Sequence, residues 1–174
     1  MENIKVLIPE NVIKKRVAAL GKSISEYYAD ERVYAVCILK GAAVFMTDLV
    51  RQMQGDVVMD FMTVSSYGNA TESSGNIEVK TDVSFDCKDK NVLIVEDIID
   101  TGNTLYYIKD LFEKRGAASV KICTLIDKPS RRQKDVNADW KGIDVPDTFI
   151  VGYGLDYAQK YRNIPFIGEL EFTD

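Results

Sequence analysis

An α/β fold, with a mainly parallel central sheet flanked by helices, is predicted by three features of this 174-residue chain. Short uninterrupted aliphatic runs recur: "VYAVCIL" at 33–39, "NVLIVED" at 91–97 and "SVKICTLI" at 119–126. Runs of that length suit strands buried on both faces. Segments with helical spacing lie between them, and that alternation points to parallel strands joined by helical crossovers. Finally, a polar turn follows each run, and ligands of parallel sheets bind at the carboxyl ends of the strands.

Taken in order, residues 11–29 read as an amphipathic helix with Asn11 as N-cap and Val12, Ile13, Val17, Leu20 and Ile24 at helical spacing. After "VYAVCIL" comes "KG", and then "AAVFMTDLVRQM", which reads as a helix reaching towards Gly55; "DVVMDFMTV" is the next strand. Residues 65–76, "SSYGNATESSGN", lack apolar periodicity and read as a loop, with "IEVKTDVS" as the returning arm of a hairpin. "TLYYIKDLFEKRG" is helical, with Leu105, Ile108, Leu111 and Phe112 on one face and Gly116 at its C-cap. Beyond the strand "SVKICTLI" the chain turns polar from 127 to 147, then offers "TFIVGY", a short helical segment "LDYAQKYR" and "PFIGEL".

Composition narrows the chemistry. The chain contains no histidine, which removes Ser-His-Asp and Cys-His mechanisms and His-ligated zinc. Proton transfer then falls to Asp, Glu, Lys or Tyr, and metal binding to oxygen ligands that favour magnesium-like ions. A net charge of −5 argues against nucleic acid as a partner, so any phosphate must be held by local groups. Cys37 and Cys123 sit in apolar runs and read as buried thiols; with Cys87 they suggest neither a disulfide framework nor a zinc site. The mixed-charge start "MENIKVLIPENVIKK" and the absence of an apolar run near the ~18 residues of a membrane span make a cytoplasmic protein without a membrane partner the expectation.

The densest stretch is "VLIVEDIIDTGNTL", 92–105. Glu96 and Asp97 end a buried run, where unpaired charge is costly, and Asp100 follows two further apolar residues. Thr101, Gly102, Asn103 and Thr104 lie where strand becomes helix, a place suited to phosphate because helix-start amides are free and glycine permits close approach. An ordinary capped turn, with Asp100 or Thr101 as N-cap, would explain the polar turn but not three acids. Neither GxGxxG nor GxxxxGK[ST] occurs, so the turn is not one of those two phosphate motifs.

This stretch resembles the phosphoribosyl-diphosphate signature of type I phosphoribosyltransferases: four aliphatics, two acids, two apolar residues, Asp-Thr-Gly, then Thr. Together with "LKG" (39–41), "SSYG" (65–68), "DKPSRR" (127–132) and "VGYGLDYAQKYR" (151–162), in that order, the chain is similar to the bacterial hypoxanthine-guanine phosphoribosyltransferases over nearly its whole length. Asn103 departs from the pattern, standing where some members carry Lys. The resemblance implies a single 1–174 domain of the type I phosphoribosyltransferase fold. It also implies a small hood from the N-terminal segment and about 127–174, and a mobile lid at about 65–80.

It further implies purine salvage: transfer of phosphoribosyl from phosphoribosyl diphosphate to hypoxanthine and guanine, giving IMP or GMP and pyrophosphate, with Mg²⁺. By the same resemblance Asp100 is the general base. Thr101, Gly102, Asn103 and Thr104 hold the 5′-phosphate, and Glu96 and Asp97 the ribose hydroxyls, directly or through magnesium. Lys40, Gly41 and Arg162 hold pyrophosphate, and Asp156 its magnesium. Lys128 reads the oxygen at purine position 6, because an ammonium only donates and so rejects adenine's amino group; Phe149 stacks on the base and the Ile150 backbone reads its far edge. Ser66 and Tyr67 ride on the lid, Arg132 is a further contact to pyrophosphate or lid, and the Leu39–Lys40 peptide is expected to be cis. Homodimers or homotetramers are usual in the family, with "AAVFMTDLV" as interface helix. The competing readings are a xanthine-preferring relative and a regulatory protein that keeps the site without catalysis.

Overall fold

The aliphatic runs form the middle of a six-stranded sheet. The computed structural model describes residues 2–67 and 76–172. In chain order these build β1 (Glu2–Ile8), α1 (Glu10–Tyr28), β2 (Val33–Leu39), α2 (Ala43–Val50), β3 (Val57–Tyr67), β4 (Asn76–Thr81) and β5 (Asn91–Ile99). There follow α3 (Asn103–Lys114), β6 (Ser119–Asp127), a 3₁₀ turn at Pro129–Arg131, β7 (Trp140–Asp144), β8 (Ile150–Val151) and β9 (Ile167–Phe172). The large sheet has the order β4-β3-β2-β5-β6-β7, parallel except for the antiparallel edge pair β3/β4. A small antiparallel sheet, β1-β9-β8, lies apart from it.

Period-two alternation divides the central strands between two apolar layers. Ala35, Cys37, Leu93 and Val95 pack with α1 and α2, through Ile13, Val17, Leu20, Ile24, Phe45, Met46 and Leu49. Val36, Ile38, Val92 and Ile94 face the other way, onto Leu105, Ile108 and Phe112 of α3. Ile8, Ile150 and Ile167 of the small sheet join the first layer, which fixes that sheet to the rest. All three cysteines are buried and free. No helix among the described residues is long and apolar enough to cross a membrane.

Several expectations need correction. α1 begins at Glu10, with Pro9 rather than Asn11 at its N-cap position, because proline's fixed φ suits a helix start. α2 ends at Val50, short of the stretch towards Gly55, and Phe45, Met46 and Leu49 are consumed by the core. Only Val44 remains as a large exposed apolar side chain of that helix, which weakens it as an interface. The loop expected from Ser65 is narrower: β3 runs to Tyr67 and pairs with β4 from Asn76, while 68–75, within the expected lid, lie outside the described residues. β1 and β7 were not expected, and β7 belongs to the large sheet rather than to a hood. "LDYAQKYR" is a pair of turns, not a helix: Ala158, Gln159 and Tyr161 have positive φ, and the Gln159 amide donates to Asp156 Oδ2 at 2.8 Å.

Candidate active site

Strand order reverses between β2 and β5: the chain leaves β2 for β3 on one side and returns to β5 on the other. Such a switch point opens a crevice at the carboxyl ends of the strands. Lys40 and Gly41 follow β2 there, and Glu96 and Asp97 lie near the end of β5. The Leu39–Lys40 peptide is cis, as the resemblance implies. Gly41 touches the acid directly, for a Cβ on it would stand 1.8 Å from Asp97 Oδ2. Any side chain at 41 would have to displace the Asp97 carboxylate.

β5 continues through Ile99, so Glu96 and Asp97 sit inside the strand, and Asp97 is only 8% exposed. Burial, then the charge of Asp97, pushes the Glu96 carboxyl well above the usual carboxylate range; burial likewise raises Asp97, against the opposing charge of Arg162. Two neighbouring acids held this way are poised for a cation or for hydroxyl donors. Among the described residues no three acidic or cysteine side chains gather into a metal cage. The donor set suits magnesium, which takes one or two carboxylates and completes its shell with water and substrate oxygens.

In the turn after β5, Thr101 Oγ1 accepts from the Asn103 amide at 3.4 Å, a long bond at the start of α3. Gly102, with φ 82°, is the N-cap of α3 and offers no side chain, so neither Asp100 nor Thr101 caps the helix in the usual way. A Cβ at 102 would meet Val136 Cγ1 at 2.7 Å, so conformation and space both require glycine. The turn is pinned from behind: Gln133 and Lys134 amides donate to the Thr101 carbonyl at 2.8 and 3.2 Å. Asn103 Nδ2 donates to Gln133 Oε1 at 3.3 Å, which directs that side chain to the loop while its backbone stays in the turn. Glu96, Asp97, Ile98, Asp100, Thr101, Gly102 and Thr104 line a cavity of about 250 Å³ here.

A second cavity, of about 480 Å³, adjoins it and shares Ile98 and Asp100; its other walls include Lys128, Arg131, Asp147, Phe149, Ile150 and Leu155. Lys128 is 6% exposed just beyond β6; its amide donates to the Ile99 carbonyl and its ammonium to the Thr148 carbonyl at 2.5 Å. A lysine so enclosed is not the solvated loop residue that its polar neighbours in the sequence suggest. Phe149 is 50% exposed at the rim, edge-on to Tyr157, whereas Ile150 is buried beside it. An apolar ring left open beside a buried donor is a stacking surface for a flat heterocycle.

Sequence reasoning missed two arginine contacts. Arg131 Nε lies 2.8 Å from Asp100 Oδ1, and its Nη1 3.2 Å from Asp147, so a guanidinium spans the second cavity wall. Arg132, expected at pyrophosphate or lid, instead pairs with the buried Asp127 and reaches the Asp100 carbonyl at 3.3 Å, bracing the turn. Asp156 and Arg162 pair at 2.7 Å, and Arg162 also donates to the Gly154 carbonyl. A Cβ on Gly154 would stand 2.1 Å from the Gly41 carbonyl, which places this pair's loop against the one following β2. The two adjoining cavities bring together Glu96, Asp97, Asp100, Thr101, Gly102, Thr104, Lys128, Phe149 and Ile150. Gly41 lies against Asp97 and the loop of Asp156 and Arg162 against Gly41, while the backbones of Ser66 and Tyr67 end β3 and their side chains lie outside the described residues.

Comparison with known proteins identifies the family. The phosphoribosyl transferase domain family matches residues 9–158. The hypoxanthine-guanine phosphoribosyltransferase of Bacillus subtilis is 50% identical over 167 residues, 96% of this chain and 93% of that one. The hypoxanthine phosphoribosyltransferase of Salmonella typhimurium is 45% identical over 173 residues, 98% and 97% of the two chains. A crystal structure of a hypoxanthine phosphoribosyltransferase from Staphylococcus aureus superposes with a TM-score of 0.93 at 43% identity, covering 96% of this chain and 91% of the other. On a family match over most of its length and relatives at 45–50% identity, the chain belongs to the phosphoribosyltransferase family, among the bacterial hypoxanthine-guanine phosphoribosyltransferases.

Proposed function

We propose that this chain transfers the 5-phosphoribosyl group from phosphoribosyl diphosphate to hypoxanthine and guanine, releasing pyrophosphate. The observation that carries the reading is that Asp100 stands on the wall shared by two cavities, one lined by the acid pair and phosphate turn, the other by Lys128 and Phe149. A nucleotide laid across them puts its glycosidic bond beside Asp100.

In this reading the amides of Thr101 to Thr104 hold the 5′-phosphate at the start of α3, where the helix dipole favours an anion. Glu96 and Asp97 hold the ribose hydroxyls. Lys40, the Gly41 backbone and Arg162 hold pyrophosphate. Lys128 donates to the purine 6-oxygen, Phe149 covers the ring face, and the Ile150 backbone reads the far edge. As the bond from the ribose carbon to pyrophosphate breaks, its electron pair leaves with pyrophosphate. A lone pair of the purine imidazole ring forms the new bond, and the displaced proton passes to Asp100. Asp156 would hold the magnesium of pyrophosphate, and Glu96 and Asp97 would address the ribose hydroxyls directly or through magnesium; the metal would supply positive charge against the departing pyrophosphate. Ser66 and Tyr67, at the end of β3, close over the reactants and exclude water. Assembly is as a homodimer or homotetramer.

The test mixes the protein with phosphoribosyl diphosphate, Mg²⁺ and one base at a time. IMP from hypoxanthine and GMP from guanine, without product from adenine, is the expected outcome. Turnover of adenine or uracil with hypoxanthine inert would contradict it, as would preference for xanthine.

A further inference from the structure

We propose that the Tyr153–Asp48 hydrogen bond is a positioning strut for the pyrophosphate end of the site. The proposal rests on the phosphoribosyltransferase reading above. Tyr153 is 6% exposed, and its hydroxyl donates to Asp48 Oδ2 at 2.6 Å, joining residues 105 apart in sequence. Burial, then the Asp48 carboxylate, pushes the phenol well above its ordinary range, so it remains a donor.

Three geometric links carry the effect inward. Tyr153 has φ 51° between Gly152 at 97° and Gly154 at 100°, an arc of three left-handed residues that costs free energy unless its surroundings hold it. The amides of Tyr153 and Gly154 are tied to the carbonyls of Ile164 and Arg162, so the arc carries the Asp156–Arg162 pair with it. Gly154 rests on the Gly41 carbonyl, and Gly41 in turn rests on the Asp97 carboxylate. Asp48 stands on α2, the helix that starts two residues after Gly41. One hydrogen bond therefore closes a loop through α2, the 40–41 turn, the arc and back.

Asp48 and Tyr153 face a separate cavity of about 370 Å³, lined also by Lys14, Val17, Arg51 and Gln52, and neither lines the two substrate cavities. The pair acts on substrate only through the backbone it positions. It should therefore tune one substrate and not the other. Of the purine cavity's walls Leu155 belongs to the arc, through its paired backbone bonds with Gly152, whereas Lys128, Phe149 and Asp100, the groups read as addressing the base, lie outside the loop just traced.

The experiment compares wild type, Tyr153→Phe, Asp48→Ala and the double variant, with Asp48→Asn as the conservative control. Both single variants are expected to raise KM for phosphoribosyl diphosphate, and Kd for Mg²⁺-pyrophosphate, by at least about fivefold, with KM for hypoxanthine within about twofold. The double variant should be no worse than either single one, because the two residues form one interaction. Asp48→Asn, whose amide oxygen still accepts from the phenol, should restore most of the affinity. Unchanged KM for phosphoribosyl diphosphate, equal rises for both substrates, or additive losses in the double variant would overturn the strut. A wild type inert with every base would instead overturn the functional reading, so the two failures are distinguishable.

Discussion

Asp100 joins the two cavities through a single carboxylate that touches Arg131. Asp100→Asn preserves its shape and removes its basicity, so kcat should fall by about 10²–10⁴ while KM for phosphoribosyl diphosphate changes little. Steady-state kinetics decide; a loss confined to KM would make Asp100 a positioning group. Lys128→Met removes the enclosed ammonium. The kcat/KM for hypoxanthine should drop at least about tenfold, the loss of one hydrogen bond to a charged donor, and preference over adenine should narrow in a two-base competition. At this scale the sequence disclosed the acids because their types and spacing belong to one dense motif, whereas Lys128, in a polar stretch, was legible only through the resemblance of "DKPSRR". Phe149 in "TFIVGY" reads by pattern alone as core, and only the open rim of its cavity distinguishes it. Arg131 could not be read as a partner of Asp100, since a separation of 31 positions carries no distance information.

The elements that matter most are the turns at strand ends. Gly102→Ala would force a side chain into positive φ and against Val136. A stability loss of about 1–3 kcal/mol is expected in urea unfolding, with a raised KM for phosphoribosyl diphosphate and an unaltered choice of base. Normal stability and binding would show that the turn can relax. The strands β2, β5 and β6 were legible because both of their faces are buried and so their sequences are continuously apolar. β1 and β7 were not, for opposite reasons. β1 is mostly exposed and reads as mixed charge. β7 is an edge strand of only five residues, "WKGID", whose Gly142 fits because a Cβ would stand 2.3 Å from the Leu125 carbonyl. The turns at 156–162 imitate helical spacing, and the Asp156 side chain captures the amide that a helix would have used.

For the whole molecule, the site is stored as unrelieved charge. Glu96 and Asp97 have carboxyl pKa values raised chiefly by burial. Raised folded values mean that the folded chain holds more protons than the unfolded one. This contribution to stability is full below the ordinary carboxylate pKa and is lost as pH rises through the raised values. Glu96→Gln should therefore raise Tm, by about 2–4 °C for each kcal/mol relieved, and more at pH 8 than at pH 5. Calorimetry at the two pH values checks this; equal gains would assign the effect to packing. Cys37 lies under the same acids, and burial with their charges pushes its thiol up to about 12. It should resist alkylation in the native protein while reacting freely in denaturant. Sheet order and the joining of two cavities at Asp100 were beyond the sequence, because both depend on which strands become neighbours.

The account's central claim is that one nucleotide spans both cavities, and a crystal structure with IMP tests it most directly. The account predicts the 5′-phosphate on the amides of Thr101 to Thr104, the purine 6-oxygen on Lys128 Nζ, the ring against Phe149 and its imidazole edge facing Asp100. IMP bound with its phosphate away from the start of α3, or with its base outside the Lys128 cavity, would contradict it.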